Sequence, residues 1–144
     1  MKNGRTLIAT ALLFAAFTVY VQAQERPLLT ATIPFTFTVE NSNLPAGTYT
    51  ISTLPPYNMM KVQSADGRKV AMIPAIPSRT LAASEQTKLV FDHIGNQYFL
   101  AQVWEQGSEV RRDVRSGNLA RELAKRGERS QSRTILASSS KGSH

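Results

Sequence analysis

Apolar and polar residues alternate along much of this chain, and a period of two is typical of half-buried β-strands. Phe35, Phe37 and Val39 alternate with polar residues over 35–40, and the residues 48–52 alternate in the same way. The run 29–33 shows this pattern before a proline, and the composition of 43–47 favours a turn. The pattern therefore predicts short strands joined by tight turns.

The residue pair at 66–67, Asp-Gly, defines a first hairpin. It favours a two-residue turn because both residue types tolerate a positive backbone φ. Pairing outward from this turn places Val62 opposite Ala71 and Met60 opposite Ile73, all on one face of the hairpin. We expect that face to lie on the core.

The residue pair at 95–96, Gly-Asn, defines a second hairpin. Both of its faces are largely apolar, so we expect it to be central in the fold and covered on both sides. The predicted pairs are Ile94 with Gln97, His93 with Tyr98, Asp92 with Phe99, Phe91 with Leu100, Val90 with Ala101, Leu89 with Gln102 and Lys88 with Val103.

The pattern changes after residue 104. A short helix is predicted within 117–127, capped by Asn118, ended by Gly127 and supported by an ion pair between Glu122 and Arg126. The segment 128–144 is basic, rich in serine and nearly free of apolar residues, which predicts a disordered tail. The apolar stripe of the helix consists of Leu119, Ala120, Leu123 and Ala124.

These elements predict one all-β domain over 24–116. We expect six to eight short antiparallel strands, arranged as a sandwich or a flattened barrel, followed by the short C-terminal helix. The chain has no cysteine, so the stability of this domain must come from packing and not from disulfides.

Residues 1–23 have the composition of a secretory signal peptide. Lys2 and Arg5 precede a mostly apolar run at 7–20, and the small residue Ala23 stands before a cleavage site at Gln24. The run is shorter than the roughly 20 residues of a membrane-spanning helix. The segment predicts export to the periplasm or the cell exterior, with no membrane span after cleavage. A retained N-terminal anchor is the alternative.

The positive charge of the chain is concentrated at its C-terminal end. The net charge is +7, yet residues 24–109 hold six bases against seven acids, whereas 110–144 hold nine bases against three acids. Such a segment is compatible with contact with anionic polymers or nucleic acid, and an unbound, solvated tail is the alternative. The candidate anion contacts are Arg111, Arg112, Arg115, Arg121, Lys125 and Arg126.

Residue types that build common catalytic sites are scarce. His93 and His144 are the only histidines, which argues against a zinc site, and Asp92 would point to the opposite face of a strand from His93. No phosphate-binding glycine motif occurs. We therefore expect no catalytic site, metal or cofactor, and a hydrolase that uses His93 is a third-ranked alternative.

Aromatic and threonine residues supply two further candidate surfaces. Tyr57, in a turn-like segment, and Trp104 are candidate ligand contacts because aromatic rings stack on sugars. Three Thr-x-Thr segments, at 30–32, 36–38 and 48–50, are compatible with a flat face for ice or a crystalline surface, although threonine is also common on ordinary strands.

Five segments follow one another in a specific order between about 31 and 104. They are IPFTFTV at 33–39, LPAGTY at 44–49, SADG at 64–67, KLVF at 88–91 and YFLAQVW at 98–104. In this order the chain resembles a group of small exported bacterial β-rich proteins that have no assigned activity. The resemblance implies export and a shared β-fold and transfers no catalytic residue. The chain departs from that group over 110–126.

The sequence thus predicts an exported, non-catalytic binding or structural protein of the bacterial cell envelope. Its expected partners are anionic envelope polymers, and nucleic acid is not expected in that compartment. The alternative is a carrier of a small apolar ligand, with a cavity lined by Phe35, Phe37, Phe91 and Leu100.

Overall fold

A computed structural model describes residues 25–55 and 58–140. The predicted signal peptide, Tyr57 and the last four residues lie outside this part of the chain. The first six strands are β1 (Arg26–Ile33), β2 (Phe37–Val39), β3 (Ser42–Leu44), β4 (Gly47–Leu54), β5 (Met59–Ser64) and β6 (Val70–Arg79). The remaining elements are β7 (Lys88–Ile94), β8 (Gln97–Trp104), β9 (Val110–Val114), α1 (Asn118–Lys125), β10 (Ser130–Leu136) and β11 (Ser138–Ser139).

The strands form one mixed sheet, so the prediction of a β-rich fold with a short C-terminal helix is confirmed. The expected count of six to eight strands is wrong, because the described residues form eleven. The prediction of purely antiparallel pairing is also wrong, because β2 pairs in parallel with β8. The sheet path runs β10-β7-β8-β9-β6-β5-β4-β1-β11, and β2 and β3 branch from β8.

The long strand β6 changes partner midway and so divides the sheet into two halves. Its residues 70–74 pair with β5, whereas 75–79 pair with β9. We call β11, β1, β4, β5 and 70–74 the β4 half, and 75–79, β9, β8, β7 and β10 the β8 half. Both halves face one core, because the Phe37 ring lies 5.1 Å from Tyr49 of β4 and 5.5 Å from Phe91 of β7.

The hairpin between β5 and β6 has the predicted register. Val62 pairs with Ala71 and Met60 pairs with Ile73, and all four side chains are buried in the core. The Asp-Gly turn at 66–67 therefore aligns the apolar positions of both strands on the inner face.

The hairpin between β7 and β8 has the predicted register only near its turn. The four pairs from Ile94–Gln97 to Phe91–Leu100 are as expected, and then the register shifts by one residue, so that Leu89 faces Val103 instead of Gln102. The extra residue is a β-bulge on β8, which turns Leu100 and Val103 to the same side. Both are buried, so burial of Val103 accounts for the shift.

The predicted disordered tail is wrong for 130–139. β10 pairs with β7 over its whole length, and β11 pairs with β1 at Leu29 and Thr30. The residue between these two strands, Ala137, donates its N–H to the Thr87 carbonyl at 3.0 Å. This segment therefore connects the two ends of the sheet path. Within β10 only Ile135 packs against the core, and Ala137 does so just beyond it, so the sequence lacks the alternation that indicates a strand.

The helix α1 covers the outer face of the β7–β8 hairpin. Ala120 is buried with Ile94 and Phe99, and Leu123 packs against them. Leu119 and Ala124, also predicted for the apolar stripe, are exposed. Two strand residues and two helix residues thus form a second, smaller apolar cluster outside the main core.

The ends of α1 follow the predicted pattern at one end only. Gly127 has φ of 78°, and the N–H groups of Gly127 and Glu128 donate to the carbonyls of Ala124 and Leu123, which is the Schellman arrangement. At the other end Asn118 is already helical, and its N–H donates to the Asn41 side chain at 2.9 Å. The predicted cap is therefore replaced by one from another part of the chain. Glu122 pairs with Lys125 at 3.9 Å instead of with Arg126.

Candidate functional site

Trp104 lies on the outer face of the β8 half, between two basic residues from the strands on either side. Leu89 and Phe91 of β7 point to the core, so Lys88 and Val90 point outward, and Lys88 pairs with Trp104. The Lys88 Nζ lies 4.9 Å from the centre of the indole ring, and the Arg111 Cζ lies 5.6 Å from it. We call Lys88, Trp104 and Arg111 the Trp104 row.

Hydrogen bonds hold Trp104 and Arg111 in place. The indole Nε1 donates to the Gln102 side chain at 3.0 Å. The Arg111 Nε donates to Asp113 Oδ1 at 3.0 Å, and the Ser78 hydroxyl donates to the other oxygen of the same carboxylate at 2.5 Å. The neighbouring strands β6, β8 and β9 thus fix the orientation of Trp104 and Arg111. The two cations of the Trp104 row outnumber the one carboxylate of Asp113, so the row and its partner carry a net positive charge.

The other end of this outer face carries the helix. Phe99 lies under α1, and Trp104 is five residues further along β8, a separation of roughly 17 Å. The predicted anion contacts Arg121, Lys125 and Arg126 belong to α1 and its C-terminal cap, and all three are exposed. Cationic side chains therefore occur at both ends of one sheet face.

Arg112, another predicted anion contact, does not belong to this outer face. It pairs with Val103 and points inward, with its side chain 16% exposed and its Nη1 3.7 Å from Glu105 Oε2. Burial lowers the pKa of Arg112, and the nearby Glu105 carboxylate partly opposes that effect. Strand alternation turns Arg112 away from solvent while Arg111 faces outward, so the two predicted anion contacts lie on opposite faces of β9. Arg115 is exposed just beyond the end of β9.

Two of the three Thr-x-Thr segments, at 30–32 and 48–50, lie side by side. Thr30 lies beside Thr50 and Thr32 lies beside Thr48 on the β4 half, with hydroxyl oxygens 3.3 and 3.0 Å apart. The third segment is elsewhere, since Thr38 is buried in β2. The described threonines thus form two cross-strand pairs whose hydroxyls bond to each other, and the three segments do not share one flat face.

The residues predicted to line an apolar cavity pack against one another. The Phe35 ring meets Phe91 edge to face at 5.1 Å, and Phe91 pairs with Leu100 across the β7–β8 ladder. Phe37, Phe91 and Leu100 are each at most 3% exposed. Close aromatic contacts therefore fill the positions where the carrier interpretation requires space.

The predicted partner of His93 is confirmed. Its ring stacks on Tyr98 at 4.2 Å with an angle of 9° between the planes, as expected from their pairing across the hairpin. Asp92 lies on the other face, where burial raises the pKa of its carboxyl. Within residues 25–55 and 58–140, no group of three or more His, Cys, Asp or Glu side chains is placed to hold a metal ion.

Comparisons with family models, with curated proteins and with solved structures find no match to this chain. In the part of the chain that the structure describes, α1 is too short and too polar to cross a membrane, and no other helix qualifies.

Proposed function

We propose that the protein is an exported, non-catalytic binding protein of the bacterial cell envelope that binds an anionic polymer along the outer face of the β8 half. The observation that carries this proposal is the Trp104 row, in which Lys88 and Arg111 lie on either side of an indole ring. The helix α1 supplies further cations about 17 Å away on the same face.

A row of fixed cations suits an extended polyanion better than a small anion. Each cation that contacts such a polymer releases condensed counterions, so several separated cations add their contributions and make binding strongly dependent on salt. In this proposal the polymer lies along β8, from the Trp104 row to α1. The segment 117–139 carries its charges on a docked helix and a paired strand, which gives them defined positions.

Trp104 has a positioning role in this proposal. Both flanking cations lie within 6 Å of its ring centre, the distance at which an aromatic face attracts a cation, and each such contact is worth about 0.5–1 kcal/mol at an exposed site. Because its neighbours on both sides are cations and its N–H is bonded to Gln102, the indole holds Lys88 and Arg111 in place for the polymer.

Export remains part of the proposal and is supported by the signal-like composition of 1–23. We interpret the sheet as a flattened barrel, since β10 and β11 link its two ends. The aromatic packing of the interior favours binding on this outer surface over carriage of an apolar ligand inside. N-terminal sequencing of the protein from producing cells tests export: a start at Gln24 supports it, and a start at Met1 contradicts cleavage.

The binding test uses dextran sulfate as the polyanion and uncharged dextran as its matched control. The double variant Lys88→Gln with Arg111→Gln is compared with the native protein between 50 and 200 mM salt. If both cations contact the polymer, affinity falls and the slope of log K against log salt becomes shallower by about two units, or roughly one for each cation.

The matched control variant is Arg68→Gln with Lys69→Gln, which removes two exposed charges from the β5–β6 turn and changes net charge equally. Its salt slope is expected to stay near the native value. Equal losses in the two double variants would show that net charge alone drives binding, and the proposed site would be wrong. Trp104→Ala is expected to weaken dextran sulfate binding while leaving every charge in place.

A further inference from the structure

Three aromatic rings form a continuous column at the end of the β7–β8 hairpin. Tyr98 stacks on Phe35 at 3.8 Å and on His93 at 4.2 Å, with angles of 18° and 9° between the ring planes. Two rings that are both parallel to Tyr98 at these distances must occupy its opposite faces. Phe35 meets the core ring of Phe91, so the column begins in the core and ends at His93.

The column is braced from the side. The Arg133 guanidinium of β10 lies with its Cζ 5.6 Å from the centre of Phe35 and 6.0 Å from that of Tyr98. β10 pairs with β7 along its length, which holds Arg133 at this place. Backbone pairing on β7, β8 and β10 therefore places His93, Tyr98 and Arg133, and Phe35 lies in the bend between β1 and β2, so the rings are aligned without a ligand.

An open depression of about 440 Å³ adjoins the last ring. His93 lines it together with two glycines and three polar residues, namely Gly95, Gly127, Glu128, Arg129 and Gln131. Both glycines have positive φ, at 60° and 78°, which other residue types adopt only at a cost, and neither fills the space with a side chain. The depression is thus kept open beside a ring that already ends a stack.

We propose that this depression binds a planar heteroaromatic ring of the purine class, stacked as a fourth ring on His93. Stacking on His93 requires a flat ligand, whereas the rim requires polar atoms along the edge of that ligand. The Glu128 carboxylate accepts hydrogen bonds, the Arg129 guanidinium donates them and the Gln131 amide does both. A purine edge offers donors and acceptors that alternate in the same way, which an unsubstituted hydrocarbon ring does not.

This site goes beyond the polyanion surface, because it shares no lining residue with the Trp104 row. Adenosine is the probe for the test. Saturable shifts are expected in the NMR signals of the His93 ring and of the Gly95 and Gly127 amides. Cyclohexanol, whose single six-membered ring is not planar and cannot stack, is expected to leave these signals unchanged.

Two variants separate stacking from recognition of the ligand edge. His93→Leu retains an apolar side chain but removes the ring, and it is expected to weaken adenosine binding about tenfold, the usual scale for loss of one aromatic stacking partner. Gln131→Ala is expected to weaken it about threefold. Ser132→Ala is the matched control, because this neighbouring residue on β10 points to the other face. The Ser132→Ala protein should bind adenosine with native affinity.

The inference is overturned if adenosine binds His93→Leu with native affinity, or if cyclohexanol shifts the same signals at the same concentrations. Both variants change exposed or half-buried side chains, and their thermal midpoints are measured alongside. If His93→Leu fails to fold, Gln131→Lys replaces it, because a lysine at the rim extends over the depression. Native affinity in that variant also overturns the inference.

Discussion

Replacing Gly117 by alanine tests how α1 is attached to the sheet. Gly117 precedes the helix with φ of −71° and ψ of 177°, a conformation open to any residue, so backbone strain plays no part. The restriction is space alone. A Cβ at this position would lie 1.7 Å from the Glu40 carbonyl oxygen, 2.5 Å from its carbon and 2.8 Å from the Asn41 side-chain oxygen.

The size of the effect follows from what must move. Normal van der Waals separation requires the helix and the β2–β3 turn to part by about 2 Å. That movement breaks the bond from the Asn118 N–H to Asn41, worth about 1 kcal/mol as a helix cap. It also exposes part of Ala120 and Leu123, at a cost of roughly another 1–2 kcal/mol. Gly117→Ala should therefore lower the free energy of unfolding by about 2–3 kcal/mol.

The assay is thermal unfolding followed by circular dichroism, with urea unfolding for the free energy. At this chain length the loss corresponds to a fall in Tm of about 10 °C. Asn41→Ala removes only the cap and should cost about 1 kcal/mol. Ser116→Ala, at the exposed neighbouring position, is the matched control with no expected change. If Gly117→Ala and Ser116→Ala unfold within 2 °C of each other, the close approach of these two backbones is refuted.

Two further predictions concern charged side chains. Glu105→Gln should destabilise the protein by about 3 kcal/mol in urea unfolding, because it leaves the largely buried Arg112 without its carboxylate. The other ion-pair partner of Glu105, Arg26, is largely exposed, so the loss of that pair costs little. Adding Arg112→Met should restore most of the loss, and a further loss would contradict this reasoning. Burial raises the pKa of Asp92, which means that the folded protein favours the protonated carboxyl. The resulting stabilisation is complete below about pH 4 and is lost as the pH rises through the folded-state pKa. Asp92→Asn should therefore be more stable than native at pH 7, and the gain should vanish below pH 4 in thermal scans at both pH values.

The turn residues predict the register next to each hairpin turn, and packing of the core determines the register further along the strands. The Asp-Gly pair at 66–67 fixed the register of β5 and β6, since a two-residue turn leaves no freedom in pairing. The bulge in β8 has no such local signal. It arises because Leu100 and Val103, three residues apart, both lie in the core, and a regular strand would turn one of them outward.

The candidate site could be predicted from sequence as residue types but not as an arrangement. Trp104 and Arg111 were separate candidates, one for a ligand ring and one for an anion, and the β8–β9 ladder brings them together. The sequence carries no signal for Lys88, because its place in the row depends on the shifted register, which pairs it with Trp104 instead of Val103. Strand alternation is the signal that separates Arg112 from Arg111, and it applies only once β9 is known to be a strand.

The C-terminal segment contributes both to the fold and to the proposed binding surface, so deleting it does not test its role in binding. Cutting the chain after Trp104 would remove β9, α1, β10 and β11 together, and with them the pairing partners of β6 and β7 and the cover over Phe99. Such a truncation would lose polymer binding through unfolding, whatever the charges contribute. Substitution of exposed charges one pair at a time avoids this problem, because Lys88 and Arg111 can each lose their charge while the sheet keeps every backbone hydrogen bond. The salt slope of those variants then measures the charges themselves.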